Sequence, residues 1–326
     1  MKLNRGKTRQ VLLLLAVTAG LCFGGCGKQA ESGQKHYVAL ITKSTESAFW
    51  QSVFAGATAA ATEYNLQVSF EGPDREEDYA RQNEMIRQAV ERGAEVIVFS
   101  AVDYNANSDA INEAAKRGVR IVVIDSDVNS AQVSCRIGTD NYAAGRMAGA
   151  AALSSEEESL YIGIVNFDMN SANGQQREQG FREAAARDGR VKSMHTINVV
   201  STTEDAREGT VTLLKEHPEI NVVVTFNEWT SLGVGWAIRD LDLADQTQVV
   251  AFDSNVVSVG MLETGEVDAL IVQNPYARGY LGVENAYNLI NGIAINQAVT
   301  DTATTCVTRE NMFEPECQRM LFSFDR

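Results

Sequence analysis

Positive charge is scarce in this 326-residue sequence: 28 Lys and Arg stand against 43 Asp and Glu, a formal net charge of −15. Such a surface repels nucleic-acid phosphates and anionic membranes, so neither is expected as a partner. Histidine is scarcer still. The three present, His36, His195 and His217, fall before a predicted strand, inside a strand pattern and before Pro218. None occupies a strand-exit loop, so each reads as a surface or packing residue. No Gly-x-Ser-x-Gly elbow, His-Glu-x-x-His helix or phosphate-binding loop occurs, which leaves the usual hydrolase, metalloprotease and nucleotide signatures without a carrier. No Cys-x-x-Cys or Cys/His cluster is present, so structural zinc is not expected, nor any other metal or cofactor. Acidic runs such as Glu76-Glu77 and Glu156-Glu157-Glu158 read as solvated faces. Nothing points to a catalytic carboxylate pair.

Long apolar runs are also missing. The most continuous one, residues 11–17, follows Lys2, Arg5, Lys7 and Arg9 and precedes small residues. It is too short for an ordinary membrane-spanning helix and has the shape of a secretory signal. Phe23-Gly24-Gly25-Cys26 resembles a bacterial lipobox, with Phe where Leu is commonest, and makes Cys26 the expected lipidation site. The alternative is a plain signal peptide with incidental cysteines. Residues 1–25 are thus the expected signal peptide and 26–35 a polar tether. The expected location is extracytoplasmic, periplasm or outer face of the cell membrane, with the membrane met through the lipid alone. Three further cysteines remain, an odd number that argues against a full disulfide framework. Cys306 and Cys317, in what reads as an irregular tail, are candidates for one bridge, and Cys135 reads as a buried small apolar residue.

What is present is a globular composition, 44% hydrophobic and 22% charged, long enough for two domains. Apolar β-branched runs begin at Tyr37, Leu66, Glu95, Val119 and Val133 and alternate with helical patterns. A second series follows with strands at 161–166, 194–200, 222–226, 249–253 and 269–273. Helices are expected at 75–92, 174–188, 205–216, 229–241, 256–264 and 277–293, among others. Strands alternating with helices of this length imply right-handed βαβ units and parallel sheets. The chain therefore reads as α/β in two tandem halves. No long linker separates them, so the chain is expected to cross between lobes on short extended segments that form a hinge.

In open parallel sheets, ligands bind beyond the carboxyl ends of the strands. Polar residues collect at those exits: Lys43 and Ser47, Asp103, Asp125 with Ser126, Asn166 and Asp168, Asn227 with Glu228, Asp253, and Gln273 with Asn274. Aromatic residues accompany them, among them Phe49, Trp50, Tyr104, Phe167, Trp229 and Phe252. Carboxylates and carboxamides can share hydrogen bonds with vicinal hydroxyls, while rings cover C–H faces. This suits a hydroxylated small molecule. For any one of these residues, capping the following helix is the competing role, and Phe49 and Trp50 are equally suited to core packing.

At these positions the sequence resembles the ribose/galactose-type periplasmic sugar-binding proteins, solute receptors of ABC importers. The likeness is carried from Tyr37 to about Asn296 by ALITKSTESAFWQSVFAG, VRIVVIDSDV, RIGTDNYAAGRMAG, QREQGF, VVVTFNEWTSLG, VVAFDS and ALIVQNPYARGYLG. The resemblance implies a type I periplasmic binding protein fold: two Rossmann-like lobes with parallel sheets, joined by a three-crossing hinge. It implies lobes of residues 36–139 plus 274–302 and 140–273 plus 303–326. It implies a sugar or polyol ligand, no catalysis and no cofactor, and a monomer that serves an ABC permease. The alternative is a binding protein that senses ligand for a histidine kinase or chemoreceptor; an enzyme ranks third. The site residues it implies are Phe49 and Trp50, with Trp50 stacked on the sugar, then Asp125, Asn227, Phe252, Asp253 and Gln273. Lys43, Ser47, Tyr104, Asp168 and Trp229 join them as strand-exit neighbours. Pentose-binding members carry arginines where this chain has Ser126 and Gln175, although Arg177 is close by. That departure puts ribose itself in doubt.

Overall fold

The structure, a computed structural model, describes residues 35–322. The first sheet contains β1 (Tyr37–Ile41), β2 (Gln67–Glu71), β3 (Val96–Phe99), β4 (Arg120–Ile124) and β5 (Val133–Gly138), closed at its edge by β11 (Val299–Asp301). Its order is β11-β5-β4-β3-β1-β2, all parallel. The second contains β6 (Leu160–Asn166), β7 (Val191–Asn198), β8 (Val222–Thr225), β9 (Gln248–Phe252), β10 (Ala269–Val272) and β12 (Thr305–Thr308). Its order is β12-β10-β9-β8-β6-β7, with β12 antiparallel to β10. The first five strands of each half therefore repeat one order, 2-1-3-4-5. That order reverses direction between β1 and β3 and again between β6 and β8, where a crevice opens at the strand ends.

Helices cover both faces, as buried β-branched strands such as Val96-Ile97-Val98-Phe99 require. On the first sheet, α1 (Ala48–Glu63) lies on one face and α2 (Tyr79–Glu91) with α3 (Ser108–Lys116) on the other. On the second, α4 (Asn141–Ala152) and α5 (Ala172–Ala185) share a face. α6 (Thr203–Glu216), α7 (Glu228–Asp240) and α8 (Val256–Thr264) take the other. The late helix α9 (Pro275–Ile290) returns to the first sheet and packs beside α1, and α10 (Pro315–Leu321) joins the core of the second. The arrangement is the type I periplasmic binding protein fold.

Glycines let helices touch backbone to backbone. A Cβ on Gly279 would stand 1.9 Å from the Val53 carbonyl oxygen, and one on Gly145 would stand 2.0 Å from that of Arg177. Only glycine allows these approaches. The second one fixes the height of the α5 segment that carries Arg177.

Several elements differ from the sequence reading. The helix expected from Arg75 starts at Tyr79, because Asp78 accepts from the Arg81 amide (2.8 Å) and caps it. Residues 75–77 are left as a turn, with consequences for Glu76. The strand expected at 194–200 runs from Val191 to Asn198. The tail is not irregular: β12 and α10 occupy it, and Cys135, Cys306 and Cys317 are all free thiols. Burial raises the Cys135 thiol to about 11. The signal segment, Cys26 and residues 27–34 lie outside the described residues.

Candidate functional site

The strand exits of the two sheets face one another across a small cavity lined from both lobes, the place where open parallel sheets bind ligands. From the first lobe, Lys43 and Ser47 follow β1, Phe49 and Trp50 open α1, and Asp125 follows β4. From the second, Arg177 projects from α5, Asn227 and Trp229 follow β8, and Asp253 follows β9. Gln273 enters from the crossing after β10.

Capping and cavity lining turn out to be compatible. Ser47 Oγ accepts from the Trp50 amide (3.2 Å) and Asn227 Oδ1 from the Thr230 amide (3.0 Å), so both cap helices. The remaining face of Asn227 is turned to the cleft, and its Nδ2 donates to Ser201 Oγ at 2.7 Å. Asp125 and Asp253 cap nothing. Both hold a left-handed backbone, φ 58° and 66°, a costly state for a non-glycine residue and one found where surrounding structure enforces it.

A hydrogen-bonded knot fills the hinge side. Arg278, on α9 and fully buried, donates from Nη1 to Asp125 Oδ1 (2.8 Å) and from Nη2 to Thr139 Oγ1 (2.7 Å). Arg177, also buried, donates to Asn141 Oδ1 (2.9 Å), the Phe226 carbonyl (2.6 Å) and Gln273 Oε1 (2.8 Å), and lies over the Phe252 ring. Gln273 Nε2 in turn donates to Asp253 Oδ1 at 2.6 Å. Burial lowers the pKa of both guanidinium groups. Burial also lifts the Asp253 carboxyl to about 7, with Arg177 and the Gln273 bond pulling the other way.

The lobes also bond to each other directly. Glu228 accepts from the Phe49 and Ala48 amides at 2.9 and 3.3 Å, placing a carboxylate on the first turn of α1 from the opposite lobe. Lys43 Nζ donates to Ser171 Oγ (3.0 Å) and Asn173 Nδ2 to Asp125 Oδ2 (3.2 Å). Glu76 bridges the two sides, accepting from Trp50 Nε1 and from Ser201 Oγ, both at 3.0 Å. The lobes are closed.

Residues 38–294 match the profile of the periplasmic binding protein domain. The chain belongs to that family. Periplasmic binding proteins work outside the cytoplasm. Among curated relatives, the D-ribose/D-allose-binding protein of Pseudomonas aeruginosa is 24% identical over 302 residues, 89% of this chain and 93% of its own. A carbohydrate transporter solute-binding protein of Agrobacterium radiobacter, solved with D-arabinose, is 28% identical with a TM-score of 0.86, over 89% of this chain and 100% of its own. A sugar transporter structure from Clostridium phytofermentans is 32% identical, TM-score 0.77, over 84% of this chain and 100% of its own.

In this periplasmic binding protein, five residues named from the sequence do not line the cavity. Phe252 lies fully buried beneath Arg177 as a platform. Ser126 is buried behind Asp125, where the Ser126 amide donates to Ser100 Oγ. Asp168 turns back to accept from the Asn170 amide (2.9 Å). Gln175 is exposed on α5, two residues from the buried Arg177. Tyr104 stands at the rim, its amide donating to the Asn170 carbonyl of the other lobe (3.0 Å). Conversely, Glu76, Phe167, Asn173 and Glu228 line the cavity and were not among the chosen residues. Glu76 is a correction: 8% exposed in its turn, it is no solvated face. Phe167 and Glu228 stood among the strand-exit residues, a signal that was available. Arg278, the ion-pair partner of Asp125, was also not foreseen; its place on a late helix gave no local cue.

Proposed function

We propose that this protein captures one neutral, monosaccharide-sized sugar or polyol between its lobes and delivers it to an ABC importer, without chemistry. The observation that carries the reading is a cavity that presents aromatic faces (Phe49, Trp50, Phe167, Trp229) and hydroxyl-matching groups (Asp125, Asp253, Asn173, Asn227) together from both lobes. The charge of the lining supports a neutral ligand. Lys43 and Arg177 face Glu76, Asp125, Glu228 and Asp253, and every guanidinium nitrogen of Arg177 is engaged within the protein. No surplus cation is left for a phosphate or acid group. Solved relatives that hold D-arabinose and, in Agrobacterium vitis, D-fucose support the same ligand class.

In this reading the ligand completes the contacts between lobes, so binding and closure are linked. The lobes divide at 139/140, 273/274 and 302/303, consistent with the sheet membership of β5, β10, β11 and β12. Cys26 carries a lipid that holds the monomer at the membrane, and Cys26→Ala releases it into the soluble fraction. A thermal-shift screen over pentoses, hexoses and polyols tests the function directly. At least one should raise the melting temperature and change tryptophan fluorescence, and Trp50→Phe should lose most of that change. A screen in which no sugar or polyol shifts the transition would end the proposal.

A further inference from the structure

Two of the three histidines in the chain meet each other, far along the sequence from the cleft residues of α1. His195 stands on β7, the outer strand of the second sheet, and His217 ends α6 just before Pro218. Their rings stack with centroids 3.7 Å apart and planes 28° from parallel. Glu219 joins them: its Oε1 lies 3.5 Å from His217 Nδ1 and 3.9 Å from His195 Nε2. One ligand atom from each of the three falls within 4.8 Å of the others. The side chains are 30%, 33% and 41% exposed, so solvent reaches the group.

We propose that His195, His217 and Glu219 form a surface site for a divalent transition-metal ion, Zn²⁺ foremost, with water as the remaining ligand. Two imidazole nitrogens and a carboxylate oxygen are a donor set that zinc favours over calcium or magnesium. A tetrahedral ion with bonds of about 2.0–2.2 Å sets its ligand atoms about 3.3–3.6 Å apart. The two distances to Glu219 are near that value already. The ion must lie close to the plane of each ring, which two near-parallel stacked rings do not allow, so one ring turns as it enters. His217, at the helix end with a third of its side chain in water, is the ring free to turn. His195 Nε2 lies 3.1 Å from Ser193 Oγ, a bond the ion replaces.

The ion ties the edge strand β7, whose single strand neighbour among the described residues is β6, to the segment leading into β8. It therefore stabilises the folded state by linkage. All three ligands belong to the second lobe, so cleft closure and sugar affinity are unaffected, and the proposal stands or falls independently of the sugar reading.

The test uses the chain without a polyhistidine tag, stripped with a chelator. Co²⁺ titration should give the intense visible absorption of a four-coordinate site and saturate at one ion per chain, and Zn²⁺ should bleach it and raise the melting temperature. His217→Ala and Glu219→Gln should each weaken Zn²⁺ binding by about tenfold or more, since even the loss of an outer-shell partner costs about 10–100-fold. Both positions lie off the strand, and an unchanged metal-free melting temperature shows that each variant folds. If His195→Ala lowers that temperature, the other two carry the test. Equal Zn²⁺ affinity in wild type and His217→Ala, or a cobalt spectrum no different from the aqueous ion, overturns the site.

Discussion

Asp125 and Asp253 are one residue drawn twice. Each is the first residue past the fourth strand of its sheet, and each has a left-handed backbone, φ 58° and 66°. Each amide donates at 3.0 Å to a carbonyl in the neighbouring strand, Asp125 to Ile137 and Asp253 to Ile271. Their surroundings differ. Asp125 has a direct ion pair with Arg278, while Asp253 accepts from the neutral Gln273 amide.

Burial of Asp253 sets a pH dependence. Burial raises the Asp253 carboxyl to about 7, whereas an unfolded Asp titrates near about 3.9. Between those values the folded state holds a proton that the unfolded state has released. Stability from this group therefore falls as pH rises from about 4 to about 7 and is level above, the reverse of a salt-bridged carboxylate. Melting curves of wild type and Asp253→Asn between about pH 5 and pH 8 should diverge, with wild type losing more on the alkaline side. Parallel curves would remove the effect.

Removing either carboxylate should expose the same asymmetry. Asp125→Ala leaves Arg278 buried without its charge partner, a loss of about 3–5 kcal/mol. Asp253→Ala leaves Arg177 its bonds to Asn141, Phe226 and Gln273, so it should weaken ligand binding while melting within a few degrees of wild type. Denaturant unfolding of both variants decides, and a larger loss in Asp253→Ala would contradict the ranking.

Glu228 is a clasp between lobes. An anion on a helix N-terminus contributes about 0.3–1 kcal/mol exposed and up to about 2 kcal/mol when partly buried. Glu228→Gln should therefore cost about 5–30-fold in ligand affinity and raise the radius of gyration of the ligand-free protein in X-ray scattering. An unchanged radius would show that the closed state does not depend on this carboxylate.

Glycines give a paired prediction on stability. Gly279→Ala drives a methyl into the Val53 carbonyl and should cost about 1–3 kcal/mol or more. Gly260 lies inside α8 with nothing within 4 Å of an added Cβ. Gly260→Ala should thus gain about 0.5–1 kcal/mol. Melting temperatures that move in the same direction would refute the packing account.

The fold was legible because its signals are local: β-branched runs, helical spacing and glycine stops recur with one period through both halves. Ten of the fourteen residues that line the cavity were legible for the same reason, since strand-exit residues announce themselves. What escaped was set by partners distant in sequence. Glu76 is drawn inward by Trp50 and by Ser201, 125 residues on, and Asn173 by Asp125. Phe252 and Ser126 were over-read, because a strand-exit position does not say on which side of the backbone the side chain falls. The His195–His217 pair likewise joins a strand to a helix end that no periodicity connects.

The placement of α9 has a consequence for how the chain matures. This helix covers β3 and β4 alongside α1, and its Val283 and Ala286 belong to the same apolar core as Val38 and Val98. A polypeptide emerging from its amino end thus cannot seal the first lobe until residue 290 is out, by which time β6 to β10 of the second are already available. The second lobe waits longer still, for β12 and α10. A fragment ending at residue 274 should therefore leave apolar faces of both sheets uncovered and aggregate.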